Sequence, residues 1–180
     1  MLTYEEVTKS EAIRTYIIQA DESLISLGYT EHSFAHVMHV AQIAGYILET
    51  LDFDSRTVEL AKIAGYLHDI GNLVNRVNHG ITGATIVIPM LIKMGMPMEE
   101  ILRISTAIGN HEEQVGKPVS EIAAALIIAD KVDAHRSRVH KISFDPSDIH
   151  DRVNYAIKSN SVIVDKENMT IIYEITMDDT

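Results

Sequence analysis

The chain predicts an all-α fold, a helical bundle closed by a small C-terminal β-hairpin. Three observations lead there. Apolar residues recur at helical spacing from Ser10 to about Ser159, and Ser, Pro and Gly punctuate the segments where helices start and stop. After Ser161 the period shortens to that of a strand, in two β-rich runs separated by a polar loop. With 180 residues and 46% hydrophobic content, the chain can bury one substantial core, and no repeat or low-complexity linker divides it.

Ser10 to Leu27 is periodic and stops at Gly28, a residue that accepts the left-handed turn at a helix end. Thr30 or Glu31 opens a second helix through Leu51. Ser55 is the expected N-cap of a third, which carries the run Leu60 to Leu67 and the pair His68-Asp69 to Ile70, where Gly71 ends it. A loop from Asn72 to Asn78 leads to a helix from His79 to about Met94, with a kink expected at Pro89. Pro97 with Glu99 and Glu100 starts another that runs to about Asn110, and Pro118, Ser120 and Glu121 open the helix that carries Asp130. Asp145-Pro146 begins the last, ending near Ser159. The strands are Ser161–Asp165 and Thr170–Thr176, so residues 1–160 form the helical domain and 161–180 a hairpin tail. A lone two-stranded hairpin is marginal in water, so it packs on the same domain or on the partner in a homodimer.

Composition narrows the function classes. The chain has no Cys, so disulfides and thiolate ligands are excluded, and any metal must take nitrogen and oxygen donors. The N-terminus lacks the basic and apolar regions of a signal peptide, and the longest apolar run, Ile122 to Ala129, is far too short to span a bilayer; a cytoplasmic protein with no membrane partner is expected. A net charge of −11 argues against an extended nucleic-acid partner, because phosphate neutralisation dominates such binding. A small phosphorylated substrate fits better, since a metal centre supplies positive charge locally.

The chemistry-bearing residues are His36, His68, Asp69, His79, His111 and Asp130, each in a helix-like segment with an apolar face. Burying so many ionisable groups without an ion or tight pairing is costly, which points to divalent metal. A carboxylate has two oxygens and can bridge two ions, whereas a neutral imidazole offers one nitrogen to one ion.

Five motifs resemble the HD superfamily of metal-dependent phosphohydrolases. His36-Val-Met-His-Val40-Ala41-Gln-Ile-Ala44-Gly45 is similar to its first-histidine helix, and Gly65-Tyr-Leu-His68-Asp69-Ile-Gly71-Asn72 to its signature. His79-Gly80-Ile-Thr-Gly83-Ala84, Ala107-Ile-Gly-Asn-His111-Glu112 and Ile128-Ala-Asp130-Lys131-Val-Asp133 resemble the remaining elements, so the likeness covers roughly residues 30 to 140. Two positions depart from the family pattern: Asn72 stands where Lys is frequent, and His111-Glu112 where many members have His-His.

The resemblance implies that His36, His68, Asp69 and Asp130 hold one ion, and that His79 and His111 complete a second site bridged by Asp69. It implies two divalent metal ions, iron or manganese before zinc, cobalt or nickel, with a metal-bound hydroxide attacking a phosphate ester. The expected substrate is a nucleotide or dinucleotide. Rival readings are a di-iron oxygenase of the same fold and a ligand-sensing or interaction domain with a structural metal.

The catalytic set expected is Asp69, His68, His32 and Lys131, and the substrate contacts are His32, Lys131, Arg136 and Arg138. His32 sits near a helix start, where free backbone amides favour an anion. Lys131 is either a phosphate contact or a counter-charge for Asp130, and Arg136 and Arg138 either clamp phosphate or oppose a helix dipole. His32 and His39 can both share the His36 face, each as a helix-surface or ligand-supporting residue or as a substrate contact. Glu112 is either a proton donor or ligand-orienting group, or an exposed acid, and Asp133 is placed to position Asp130. His135, His140 and His150 read as surface residues, and the methionines from Met90 to Met98 as core.

Overall fold

The helical part begins one element earlier than periodicity indicates. The computed structural model describes residues 1–29, 33–112, 116–139 and 149–178. Its first helix, α1 (Tyr4–Lys9), is held by a capping box: Thr3 Oγ1 accepts from the Glu6 amide at 3.2 Å, and the Glu6 carboxylate accepts from the Thr3 amide at 2.8 Å. α2 (Glu11–Ser26) is capped by Ser10 and buries Ile13, Ile17, Ala20 and Leu24, a stripe at three- and four-residue spacing. Gly28 follows it with φ of 82°.

α3 (Phe34–Thr50) starts from Ser33, whose hydroxyl accepts from the Ala35 amide at 3.2 Å. The expected openings at Thr30 and Glu31 lie outside the described residues. Asp54, not Ser55, caps α4 (Ser55–Leu67). Its carboxylate takes the amides of both Arg56 and Thr57 at 3.0 Å, which a hydroxyl one residue later cannot do. α4 also stops short of the expected Ile70. His68 is its C-cap, Asp69 sits at φ −92° and ψ 1°, and Ile70–Leu73 tighten into a 3-10 turn. α5 (His79–Lys93) continues through Pro89. α6 (Met98–Gly109) follows Pro97, and α7 (Glu121–Val132) is capped by Ser120.

The C-terminal boundary is corrected. The last helix, α8 (Ile149–Ala156), ends before Ser159, and β1 (Ile157–Asp165) begins at once; the expected start at Asp145-Pro146 lies outside the described residues. Ser159, Asn160 and Ser161 are weak helix formers, and pairing with β2 (Thr170–Met177) decides their state. The antiparallel register sets Val162 opposite Tyr173 and Asp165 opposite Thr170, with an irregularity between Ile157 and Ser159. The hairpin rests on the helices through Val164, which joins the core, while Ile171, Ile172 and Ile175 of β2 are exposed.

The core runs between α3, α4, α6 and α7, with α5 against α6. Two glycines set its tightest approaches. A Cβ on Gly65 would lie 2.7 Å from Ala41 Cα, so only glycine lets α4 meet α3 this closely. A Cβ on Gly71 would lie 1.9 Å from the His79 carbonyl oxygen, so the turn after Asp69 presses directly on the start of α5. No helix among the described residues is long and apolar enough to cross a membrane.

Candidate metal centre

These contacts bring one end of five segments to a common point. The α3–α4 approach sets the rings of His36 and His68 with centroids 5.1 Å apart. The turn at Asp69 swings its carboxylate back alongside His68, 3.3 Å from His68 Nε2. Gly71 against α5 brings in His79, and the end of α6 delivers His111, whose ring lies 5.0 Å from His68 and 4.9 Å from His79. α7 contributes Asp130. His36, His68, Asp69, His79 and His111 are buried.

Their donor atoms face one another. His36 Nε2 lies 3.2 Å from His68 Nε2, and both lie 3.5 Å from Asp130 Oδ1. Asp69 Oδ2 is 3.3 Å from each of these imidazole nitrogens. On the other side, Asp69 Oδ1 is 3.1 Å from His79 Nε2, which is itself 3.1 Å from His111 Nε2. His36, His68 and Asp130 are spaced to hold one metal ion, and so are His68, Asp69 and His111.

The outer nitrogens decide the tautomers. His36 Nδ1 faces Asp133 Oδ2 at 2.6 Å, His68 Nδ1 the Gly65 carbonyl at 2.8 Å, His79 Nδ1 the Arg76 carbonyl at 3.0 Å, and His111 Nδ1 the Ile108 carbonyl at 2.7 Å. Each of these oxygens only accepts, so each Nδ1 donates, and in the neutral ring each Nε2 turns a lone pair inward. Lone pairs facing at 3.1–3.2 Å repel unless a positive charge lies between them. Imidazoles locked by their outer N–H, with carboxylates beside them, are the donor set of a hard or borderline divalent metal. The residues present fit such ions.

Electrostatics agree. Burial disfavours a charged His68, but the carboxylates of Asp69 and Asp130 outweigh it and raise its pKa to about 10. Partial burial would raise the Asp130 carboxyl, yet the hydrogen bond and charge of His68 hold it well below the usual carboxylate range. Burial and the neighbouring His68 charge push His111 down to about 4. The centre selects for positive charge, as a proton on His68 or as a cation.

A polar shell surrounds the donors. Asp133 orients His36 rather than Asp130, because the chain leaves α7 at Val132 and turns Asp133 toward α3. Burial would raise its carboxyl, but the His36 hydrogen bond keeps it low. Glu112 is no exposed acid. Its Oε1 accepts from the Gly80 amide at the start of α5 at 2.7 Å, and its Oε2 lies 3.3 Å from His79 Nδ1. Asn72 donates to Asp69 Oδ1 at 2.9 Å and to the Asp69 carbonyl at 3.0 Å.

The basic residues spread out. Lys131 Nζ is 3.1 Å from Asp130 Oδ2 and half exposed. Arg138 donates to the Asp133 carbonyl at 2.7 Å, with Nε 3.7 Å from the Asp133 carboxylate. Arg136 sits in a 3-10 turn, not on α7, and reaches the hairpin: its Nη2 donates to Asp178 at 2.8 Å. His39 lies 3.8 Å from Asp133 and is partly exposed. His135 caps that 3-10 turn and meets the Lys158 carbonyl at 2.9 Å. His32 and His140 lie outside the described residues. Sequence reasoning passed over Arg76, whose Nη1 is 3.3 Å from both Asn72 Oδ1 and His79 Nε2. A lone Arg in an irregular loop carries no periodic signal that would have marked it.

A model of the HD domain matches residues 33–135, more than half of the chain. Ribonuclease Y of Lawsonia intracellularis is 33% identical over 111 residues, 60% of this chain but 19% of that protein. Ribonuclease Y of Mycoplasma mycoides is 35% identical over 111 residues, 60% of this chain and 24% of that protein. The chain thus spans about a fifth to a quarter of the length of these relatives. The crystal structure of a predicted HD superfamily hydrolase from an uncultured Thermotogales bacterium superposes with a TM-score of 0.55 at 26% identity, covering 69% of this chain and 67% of that one.

Proposed function

The chain belongs to the HD domain family, and from that premise we propose that it is a metal-dependent phosphohydrolase that cleaves a phosphate ester of a small molecule, a nucleotide or dinucleotide. His36, His68, Asp69 and Asp130 hold one divalent ion, His79 and His111 complete a second site, and Asp69 joins the two. The observation that carries this reading is the divided Asp69 carboxylate, with Oδ2 3.3 Å from His36 and His68 and Oδ1 3.1 Å from His79. Iron and manganese suit the all-nitrogen-and-oxygen donor set.

Ions held there supply Lewis acidity to a phosphoryl oxygen and lower the pKa of a bound water. The rest falls to the chain. Asp133 and Glu112 fix the rings of His36 and His79, and Asn72 fixes Asp69, so the donors keep one geometry. Lys131, half exposed beside Asp130, offers an ammonium to phosphate at the mouth of the centre. The Ribonuclease Y relatives favour a phosphodiester bond, and the net charge of −11 favours a short substrate over a long one.

The test is turnover by protein purified without added metal, on a panel of nucleoside monophosphates, dinucleotides and short RNA oligomers. Cleavage that is lost with a chelator and restored by iron or manganese is expected. Oxygen consumption without ester cleavage would overturn the hydrolytic reading.

A further inference from the structure

Arg76 lies in the loop between the Ile70–Leu73 turn and α5, and its guanidinium stands against the His79 side of the centre. Nη1 is 3.3 Å from His79 Nε2 and 3.4 Å from His79 Nδ1. An atom nearly equidistant from both ring nitrogens does not lie along the in-plane lone pair of either. The lone pair of Nε2 is aimed at Asp69 and His111 instead, and it stays available for a metal.

The partners of this guanidinium are neutral. Asn72 Oδ1 accepts from it at 3.3 Å, and the Tyr29 ring lies 5.8 Å away. Among the described residues no carboxylate comes within 4.0 Å of it, whereas Lys131, Arg136 and Arg138 each have one. A half-buried cation beside an imidazole that would serve divalent ions would be repelled by them, and an anion bound between them relieves that repulsion. Asn72 explains how it gets there: its amide is committed to Asp69, and its oxygen is left to steer Arg76.

We propose that Arg76 is a substrate-binding residue whose guanidinium holds a non-reacting phosphate oxygen on the His79 side of the centre. This rests on the phosphohydrolase reading. A planar guanidinium suits the task, because its N–H groups are spaced to grip phosphate oxygens in pairs. Lys131 marks the Asp130 side, so a phosphate seated over the ions would meet one cation on either flank.

The experiment compares metal-loaded wild type, Arg76→Ala and Arg76→Lys, with inorganic phosphate as the probe in direct titration and metal affinity measured on the same proteins. Arg76→Ala should weaken phosphate binding about 10- to 100-fold, as expected for a lost charge-assisted hydrogen bond. Its metal affinity should be unchanged or tighter, since a repelling charge is gone. Arg76→Lys keeps the charge without the fork and should recover part of the binding. Equal phosphate affinity in wild type and Arg76→Ala would overturn the proposal, as would a wild type that binds no phosphate. A loss of metal in step with phosphate would also overturn it, by making Arg76 a prop for His79. If no ester in the panel is cleaved, the hydrolase reading falls while the phosphate titration still decides the role of Arg76.

Discussion

Asp133→Asn tests whether the polar shell sets the strength of the metal centre. The Asp133 carboxylate meets His36 Nδ1 at 2.6 Å and has an 11% exposed side chain, so the bond is charge-assisted and largely shielded from water. The substitution keeps the size of the side chain and removes its charge. It also keeps the backbone carbonyl that takes the 2.7 Å bond from Arg138, so the local chain is not cut loose. What changes is the basicity of His36 Nε2 and its preference for the tautomer that turns a lone pair inward. Loss of an outer carboxylate of this kind typically weakens metal binding 10- to 100-fold, or about 1.4–2.7 kcal/mol. Competition against a chromophoric chelator measures it, with circular dichroism on the same samples to verify the fold. Metal affinity within about twofold of wild type would refute the reasoning that Asp133 tunes His36.

Three further outcomes are expected. Gly71→Ala places a methyl group 1.9 Å from the His79 carbonyl oxygen, so α5 must retreat; stability should fall by about 1–3 kcal/mol and the His79–His111 site should lose metal first, as read by thermal melts and metal titration. Metal uptake should strengthen with pH: His68 in the metal-free centre holds a proton up to about 10, which an ion must displace, while His111 at about 4 holds none at neutral pH, so log affinity should climb with a slope of about one between roughly pH 7 and 9. A flat profile would contradict that assignment. Arg56→Ala should cost about 1–3 kcal/mol at pH 7 by denaturant melts, because Arg56 Nε donates to Glu100 at 2.7 Å and Nη1 to the Leu2 carbonyl at 2.8 Å. Arg56 holds the Glu100 carboxyl below its usual range, so this contribution is present above about pH 4.5 and should shrink as pH falls below it.

Much of the fold is legible because helix ends are local. Ser10, Pro97 and Ser120 announce their helices within three residues, and the stripes they introduce follow from spacing alone. Thr3 and Glu6 carry the same kind of signal, but a six-residue helix is too short to show a period. The change at Ile157 was hidden because cross-strand pairing, not local propensity, makes Ser159 to Ser161 a strand. At the candidate site, residue types and order single out the six buried or nearly buried donors. What surrounds them depends on contacts between distant segments. His36 and Asp133 are 97 positions apart, and Glu112 reaches Gly80 only because α6 packs on α5. Arg76 needs both the turn at Gly71 and the side chain of Asn72 to reach His79. No single segment encodes such contacts.

The most direct test of the account is the number of metal ions the chain holds. The proposed function divides the Asp69 carboxylate between two sites, one served by His36, His68 and Asp130 and the other by His79 and His111. Elemental analysis of protein dialysed against saturating iron or manganese should give close to two ions per chain. The double substitution His79→Ala with His111→Ala should give close to one while the helical circular dichroism is kept. A wild-type stoichiometry of one at saturating metal would contradict the dinuclear centre and the role assigned to Asp69.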